Sequence, residues 1–256
     1  MTVFFLSDLH LGAYPETEKS SVPKLLGFLD HVAATGGRLV IVGDLLDFWF
    51  EYRTVVPRRP FRLLSHLKSM VDKGSDITYV AGNHDYWMGD FLTREVGVKT
   101  VRDALETTID GKRFFISHGD GLATTGQLGY RALKALLHSR VVTSGFRLLH
   151  PDVGLRLAAA ASRMSRRRSS RNSHSNRRLE AFVERKAAEG FDFLVLGHLH
   201  RPLLFKVGGT SCLVAGDWID NLSYGVYSDG ALTLERWGEP RPLNGSLQET
   251  AESRRR

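Results

Sequence analysis

Apolar residues along the chain follow two alternating patterns. Short apolar runs predict buried strands at Val3–Leu6, Leu39–Val42 and Ile77–Ala81. Between these runs, residues 19–35 and 61–72 place their large apolar side chains on one helical face. Strands that alternate with amphipathic helices are typical of a sheet covered by helices. The first half of the chain therefore predicts an α/β fold.

The pattern of alternating strands and helices changes after the third predicted strand and returns near residue 193. An Asp110-Gly111 pair between two apolar runs predicts a hairpin. Residues 126–165 then give a series of short amphipathic helices rich in leucine, valine and alanine. Strand patterns resume after this helical stretch. The hairpin strands are predicted at Leu105–Ile109 and Arg113–Ser117. The later strands are predicted at Phe193–Leu196, Leu203–Val207 and Cys212–Ala215, followed by a last pair joined by Asp229-Gly230.

These patterns predict a core that is interrupted by an insertion. The core is expected in two parts, residues 1–125 and 177–238, and residues 126–176 are expected to form a helical insert or lid. Residues 239–256 show no periodicity, so we predict a disordered tail there.

Composition favours a protein of the reducing cytosol. With one cysteine, Cys212, no intramolecular disulfide can form. The N-terminal residues lack the basic segment of a signal peptide. No stretch approaches the roughly 18 apolar residues of a membrane-spanning helix. We therefore expect a protein that is soluble or lies on a membrane surface.

The net charge of +7 is concentrated in one segment. Residues 163–178 contain seven arginines and no acidic residue, which indicates an anionic partner. The serine- and arginine-rich stretch 162–178 has three interpretations: a disordered surface loop, a contact for anionic lipid headgroups, or a contact for nucleic acid phosphates. The first two are favoured, so we expect an anionic membrane surface as partner and no nucleic acid.

Five short blocks carry side chains that bind metals, and four of them directly follow a predicted strand. Loops at the carboxyl ends of strands in an open α/β sheet converge on one crevice, so the blocks are expected to meet. The blocks are Asp8-Leu9-His10, Gly43-Asp44, Gly82-Asn83-His84-Asp85, Ser117-His118-Gly119-Asp120 and Gly197-His198-Leu199-His200.

The chemistry of two adjacent divalent cations suits this mixture. One aspartate can bridge both ions, while imidazole and amide oxygen complete each sphere without excess negative charge. Each block alone has an ordinary explanation, such as a turn with a capping asparagine or a surface histidine. Five of the ten histidines fall inside the blocks, however, and this coincidence favours a metal site.

The ordered set of D-x-H, G-D, G-N-H-D, H-G-D and G-H-x-H resembles that of calcineurin-like metallophosphatases. The resemblance implies an αββα sandwich, with Asp44 bridging two divalent metal ions and His84 donating a proton to the leaving oxygen, oriented by Asp85. It also implies that water bridging the ions attacks phosphorus in line. The implied ligands are Asp8, His10, Asp44 and His200 for one ion, and Asp44, Asn83, His118 and His198 for the other.

A narrower resemblance covers the insert as well. Several stretches are similar to those of UDP-2,3-diacylglucosamine diphosphatases of lipid A biosynthesis, and two of them, Gly129-Tyr130 and the arginine- and serine-rich run, lie in the insert. The others are Gly43-Asp44-Leu45-Leu46-Asp47-Phe48-Trp49, His118-Gly119-Asp120-Gly121-Leu122, Gly197-His198-Leu199-His200-Arg201-Pro202 and Gly216-Asp217-Trp218. The resemblance implies hydrolysis of a UDP-linked diacylglucosamine lipid to UMP and 2,3-diacylglucosamine 1-phosphate, with Mn²⁺ as cofactor. It also implies a cytoplasmic protein, peripheral on the inner face of the inner membrane. The implied substrate contacts are Tyr130, Ser165 and Arg166.

Two features keep a second hypothesis open. The apolar side chains of the insert would serve two acyl chains, but they would also serve simple packing of the lid onto the core; the family resemblance favours the acyl chains. In the better-known branch of the diphosphatases an arginine stands where this chain has His84. The alternative is a soluble metallophosphodiesterase or nucleotide pyrophosphatase with a non-lipid substrate.

Overall fold

The computed structural model describes residues 1–124, 139–169 and 176–238. Its strands form two sheets, and the apolar runs of the sequence supply most of them. The strands are β1 Val3–Leu6, β2 Arg38–Val42, β3 Ile77–Val80, β4 Lys99–Val101, β5 Ala104–Ile109, β6 Lys112–Ser117, β7 Phe193–Leu196, β8 Leu203–Val207, β9 Thr210–Val214, β10 Ser223–Ser228 and β11 Ala231–Arg236.

Helices cover the outer faces of both sheets. The helices that pack on the sheets, Pro15–Thr35, Phe61–Asp72 and Asn176–Ala188, each bury one apolar stripe, as the 3.6-residue period requires. The helices are α1 Pro15–Thr35, α2 Phe61–Asp72, α3 Arg140–Arg147, α4 Pro151–Ser169 and α5 Asn176–Ala188, with a short π-helix at Leu92–Val96 and a 3₁₀-helix at Asp120–Thr124.

The first sheet has the strand order β11-β10-β1-β2-β3-β4, and the second has the order β5-β6-β7-β9-β8. Strands β1 to β4 are parallel, and so are β6, β7 and β9. The remaining strand pairs are antiparallel and lie towards the sheet edges. The carboxyl ends of β1, β2, β3, β6 and β7 carry the five polar blocks, so the parallel strands position the site.

Three apolar clusters define the layers. One lies between α1, α2 and the first sheet, a second lies between the two sheets, and a third lies between α5 and the second sheet. Phe5 and Phe114 stack across the middle cluster with their ring centroids 6.3 Å apart. This arrangement of helix, sheet, sheet and helix is the predicted αββα sandwich.

Helices α3 and α4 occupy the middle of the segment predicted as an insert. Phe146 of α3 packs into an aromatic group on the core, with ring centroids 4.7 Å from Phe50 and 5.1 Å from Trp87. The predicted boundaries of the insert remain a prediction, and the tail 239–256 lies outside the described residues.

The arginine-rich stretch differs from its prediction. Residues up to Ser169 continue α4, and α5 begins at Asn176. A surface loop over 162–178 is therefore wrong for the described part of this stretch. Arginine is a good helix former, which explains why a run of arginines extends a helix. Residues 170–175 lie outside the described ranges.

Within the described residues, no helix is long and apolar enough to cross a bilayer.

Candidate metal centre

Three nitrogen and oxygen atoms converge at the ends of β1 and β7. Asp8 Oδ1 lies 3.5 Å from His10 Nε2 and 3.4 Å from His200 Nε2, and the two imidazole nitrogens are 3.2 Å apart. Ligands about 2.0–2.2 Å from one metal ion are separated by distances of this kind. Asp8, His10 and His200 can therefore bind one cation.

A second group lies beside the first. Asp44 Oδ2 is 3.1 Å from His118 Nε2, and His118 Nε2 is 3.3 Å from His198 Nδ1. The same Asp44 oxygen lies 3.6 Å from His10 Nε2, so Asp44 stands between the two groups. The structure thus brings together six of the seven side chains that the sequence predicts as ligands, with Asp44 between the two groups.

Unsatisfied buried atoms support the fit of this donor set to metal ions. Asp8 Oδ1, His10 Nδ1 and Asn83 Oδ1 are buried and accept or donate no hydrogen bond. A buried polar atom without a partner costs free energy, and a bound cation would satisfy both the carboxylate and the amide oxygen. Asn83 Oδ1 is therefore an acceptor that a cation can use.

Backbone strain marks the same residues. Asp8, His10, Asp44, His198 and His200 all have positive φ, between 49° and 67°. L-residues rarely adopt this conformation, and it persists where the surrounding structure enforces it, typically at functional sites. In addition, a Cβ on Gly82 would overlap the Asp44 carboxylate, so glycine is required there for close approach.

The electrostatics of the cluster favour cations. Burial acts against charge on every group, but the neighbouring imidazoles lower the pKa of Asp8 to about 2 and hold the pKa of Asp44 well below its usual range. Burial likewise lowers the pKa of His10, yet the nearby carboxylates of Asp47, Asp8 and Asp44 raise it to about 10. A field that attracts protons this strongly also attracts metal ions.

Hydrogen bonds behind the cluster hold two of the histidines. His118 Nδ1 lies 2.9 Å from the carbonyl oxygen of Val42, which can only accept, so Nδ1 carries a proton and Nε2 presents its lone pair. Asp217 accepts three backbone N–H groups and a bond from Asn221 Nδ2, which also donates to the His200 carbonyl. These contacts fix the loop that carries His200.

The contacts of His84 correct one prediction. Its Nδ1 lies 2.9 Å from the Asp47 carbonyl oxygen, 3.1 Å from Ser162 Oγ and 3.4 Å from the Asp47 carboxylate. Asp85 does not reach this ring: it is fully buried and accepts hydrogen bonds from Tyr79 Oη and from two backbone N–H groups. Asp85 therefore braces the loop, and Asp47 and Ser162 hold His84.

The sequence missed Asp47, Ser162 and Asp217 as parts of the site. Asp47 had a signal, because it follows Asp44 by three residues within one block. Ser162 had none, since nothing in a helix pattern shows which serine reaches a distant histidine. Of the predicted substrate contacts, Tyr130 lies outside the described residues; Ser165 and Arg166 belong to α4, but their side chains are not among those described.

A large cavity of about 1170 Å³ opens next to the cluster. Asp47 lies in its wall, and α4 contributes Leu155 and Ala159. Most of the lining is apolar, and three basic side chains also line the cavity. The apolar lining includes Leu46, Phe48, Val56 and Phe91, and the basic residues are Arg58, Arg59 and Lys68.

The fold and this cluster define a metal-dependent phosphoester hydrolase with a two-sheet core. The chain belongs to the calcineurin-like phosphoesterase family, whose sequence model matches residues 1–202. The match includes both parts of the predicted core up to the loop of His200. The family accordingly implies divalent metal ions as cofactors.

The sequences of named relatives align with nearly the whole chain. A UDP-2,3-diacylglucosamine hydrolase of Porphyromonas gingivalis is 29% identical, covering 91% of this chain and 96% of the relative. One of Neisseria meningitidis serogroup C is 30% identical, covering 89% and 94%. Among solved structures, the phosphoesterase YfcE of E. coli is 18% identical with a TM-score of 0.49, covering 95% of this chain and 97% of that one.

Proposed function

We propose that this protein hydrolyses the pyrophosphate bond of UDP-2,3-diacylglucosamine to UMP and 2,3-diacylglucosamine 1-phosphate. The observation that carries the proposal is the large apolar cavity beside the metal cluster, which a small water-soluble phosphoester would leave unused. The names of the relatives point to the same substrate.

The cavity has the chemistry that a phosphorylated lipid needs. Its apolar walls can bury acyl chains at about 25 cal/mol per Å² of apolar surface removed from water. Arg58, Arg59 and Lys68 line the same space and can pair with phosphate or polar headgroup oxygens. Asp47 connects this space to the cluster, so a lipid bound there would place its phosphate near Asp44.

A smaller cavity suits the other end of the substrate. It has a volume of about 210 Å³ and lies at the ends of β3 and β6, where Gly82 and Gly119 border the cluster. Tyr86, Arg102 and Asp103 supply an aromatic face, a cation and a carboxylate around it. We place the uridine there, because an aromatic face can stack on a base and a carboxylate can accept from ribose hydroxyls.

In this reaction, metal binding and proton donation belong to different residues of the chain. Divalent cations, Mn²⁺ in our proposal, would polarise the phosphoryl oxygens and make water a better nucleophile. Asp8, His10 and His200 would hold one cation, and Asp44, Asn83, His118 and His198 would hold the other. Burial lowers the pKa of His84, but the carboxylates of Asp44 and Asp47 raise it above its ordinary value, so the ring can carry a proton on each nitrogen. Nδ1–H donates to the Asp47 carbonyl, and Nε2–H is left to donate to the leaving oxygen.

A soluble metallophosphodiesterase or nucleotide pyrophosphatase is the second candidate, and His84 favours the phosphodiesterase. Proton donation matters most for a basic alkoxide leaving group, whereas a leaving phosphate is already a weak base. His84, held by Asp47, is therefore better matched to a diester than the arginine that stands at this position in the better-known diphosphatases.

Acyl chains on the substrate distinguish the two candidates. We expect the diacylated UDP-sugar to be cleaved with a higher kcat/KM than its deacylated form. Ala159→Phe, which fills the cavity, is expected to lower kcat/KM for the diacylated substrate about tenfold, since lost apolar contacts cost on the order of 1–3 kcal/mol. The rate of UMP release with added Mn²⁺ measures the effect of the acyl chains and the effect of the substitution.

Ala158→Phe is the matched control, because Ala158 is the adjacent alanine of α4 and does not line the cavity. Equal turnover of the acylated and deacylated substrates by the unmodified enzyme would show that the cavity is not an acyl site. The soluble phosphodiesterase would then be the better assignment.

We further propose that the α3–α4 elbow contacts an anionic membrane surface, on the inner face of the inner membrane. Val141, Leu148 and Leu157 are 80%, 88% and 54% exposed there. Arg147 and Arg156 are exposed on the same helices. Apolar side chains flanked by arginines are typical of helices that lie in a lipid interface.

Leu148→Asp is expected to weaken binding to phosphatidylglycerol vesicles about tenfold, since it removes an apolar side chain worth about 1.5–3 kcal/mol when buried. Thr108→Asp adds the same charge on the exposed part of β5 and is expected to bind normally. Vesicle sedimentation at two salt concentrations measures this. Equal binding by both variants would place the membrane contact elsewhere.

A further inference from the structure

Ser162 reaches the candidate catalytic group from a distant part of the chain. It lies just past the middle of α4, and its side chain is buried, with 7% of the residue exposed. Its Oγ is 2.7 Å from Asp47 Oδ1 and 3.1 Å from His84 Nδ1. A helix outside the two sheets thus supplies a hydroxyl directly to the proposed proton donor.

The direction of these hydrogen bonds follows from the atoms involved. The Asp47 carboxylate only accepts when ionised, so the Ser162 hydroxyl donates its proton to Asp47. The Asp47 carbonyl oxygen also only accepts, so His84 Nδ1 carries a proton. The lone pair of Ser162 Oγ then accepts from the same Nδ1–H. Serine therefore connects the carboxylate and the imidazole, which are 3.4 Å apart.

The same face of α4 also lines the large cavity. Leu155, Ala159 and Ser162 are spaced by four and three residues, which places them on one helical face. The first two line the cavity, and the third holds His84. Whatever fills the cavity therefore contacts the helix face that supplies the serine.

We propose that Ser162 is a positioning residue that makes the orientation of His84 depend on the seating of α4 against the core. The imidazole is held fully only when α4 is packed in place, and an occupant of the cavity that contacts Leu155 and Ala159 stabilises that packing. The inference rests on the proposed role of His84 as proton donor, but it applies to a lipid or a soluble phosphoester alike.

The test compares Ser162→Ala, Ser162→Thr and Ala161→Ser in the full chain with Mn²⁺. Loss of the hydroxyl is expected to lower kcat about tenfold, which is the usual cost of losing a contact that supports an active-site residue. KM and the amount of bound manganese should change little. Threonine keeps a hydroxyl and is expected to recover most of kcat. Ala161 is the exposed neighbour, so its serine variant should behave as the unmodified protein. Thermal unfolding of each variant verifies that it folds.

A ring-proton measurement separates this inference from the choice of substrate. In the ¹⁵N-histidine spectrum of the manganese-free protein loaded with Mg²⁺, the Nδ1 proton of His84 is expected to be visible and slow to exchange. It should exchange faster in Ser162→Ala. His84→Gln assigns the signal.

Two results would overturn the proposal. One is an unchanged kcat and an unchanged Nδ1 proton in Ser162→Ala while His84→Gln is inactive, which would leave the role of His84 intact. The other is a Ser162→Ala loss that threonine does not recover in a folded variant, since the serine would then act through packing. If His84→Gln is itself fully active, the proposed proton donor is wrong as well.

Discussion

Replacing Asp44 by asparagine is expected to remove nearly all hydrolytic activity. Asp44 Oδ2 stands 3.1 Å from His118 Nε2 and 3.6 Å from His10 Nε2, so its charge serves both groups of the cluster. An amide supplies no negative charge and would turn an N–H donor towards a nitrogen lone pair. We expect kcat/KM to fall by more than the roughly 100-fold that loss of an outer contact costs.

Metal content is the second readout of this variant. The unmodified protein is expected to retain two manganese ions per chain after gel filtration, and Asp44→Asn at most one. Asp76→Asn is the control, because Asp76 is a surface partner of Lys99 and neither residue lines the cavity or belongs to the cluster. An Asp44→Asn protein that kept both ions and most of its activity would show that Asp44 does not bridge them.

The sequence predicted the parts of the fold that have strong apolar periodicity. The bounds of β1, β7 and α2 agree with their predictions because their side chains are either wholly buried or confined to one helical stripe. Helix α1 begins at Pro15, earlier than predicted, since its first turn contains Glu16 and Glu18 and no apolar signal. Proline and acidic residues favour that first turn for reasons of backbone geometry and charge.

Two elements gave weaker signals. Strand β4 has three residues at the edge of the first sheet, too few for a period to be visible. Helix α5 follows the arginine-rich stretch, and its buried Leu179 and Val183 carry a helical spacing that the charged neighbours obscured. In both cases tertiary packing decides the structure more than local pattern does.

The site, like the fold, has residues that the sequence pattern reveals and residues that it does not. The metal-binding residues could be found because each block follows a turn or strand end with side chains that bind metals, such as Asp8 and His10. Supporting residues such as Ser162 could not, since a serine that accepts from His84 has the same local sequence as one that faces solvent. The orienting role that the family resemblance implies for Asp85 is wrong, because adjacent residues of a loop point in different directions and the Asp85 carboxylate accepts from Tyr79.

Replacing His84 by glutamine is expected to separate proton donation from metal binding. Glutamine retains a polar side chain but has no proton to give at neutral pH. Loss of a general acid lowers rates about 100-fold or more, and we expect this in kcat. Both manganese ions should stay bound, because the ligands in the two groups are unchanged.

The dependence on leaving group tests the mechanism behind that loss. For a diester of thymidine 5′-phosphate, the phenyl leaving group needs a proton more than the p-nitrophenyl group does. His84→Gln should therefore cost more with the phenyl ester, if His84 acts as an acid. His66→Gln is the matched control, since His66 lies on α2 beside Asp30, with 3.1 Å between His66 Nε2 and Asp30 Oδ1. An equal loss on both esters would mean that His84 stabilises charge without transferring a proton, as an arginine in its place would.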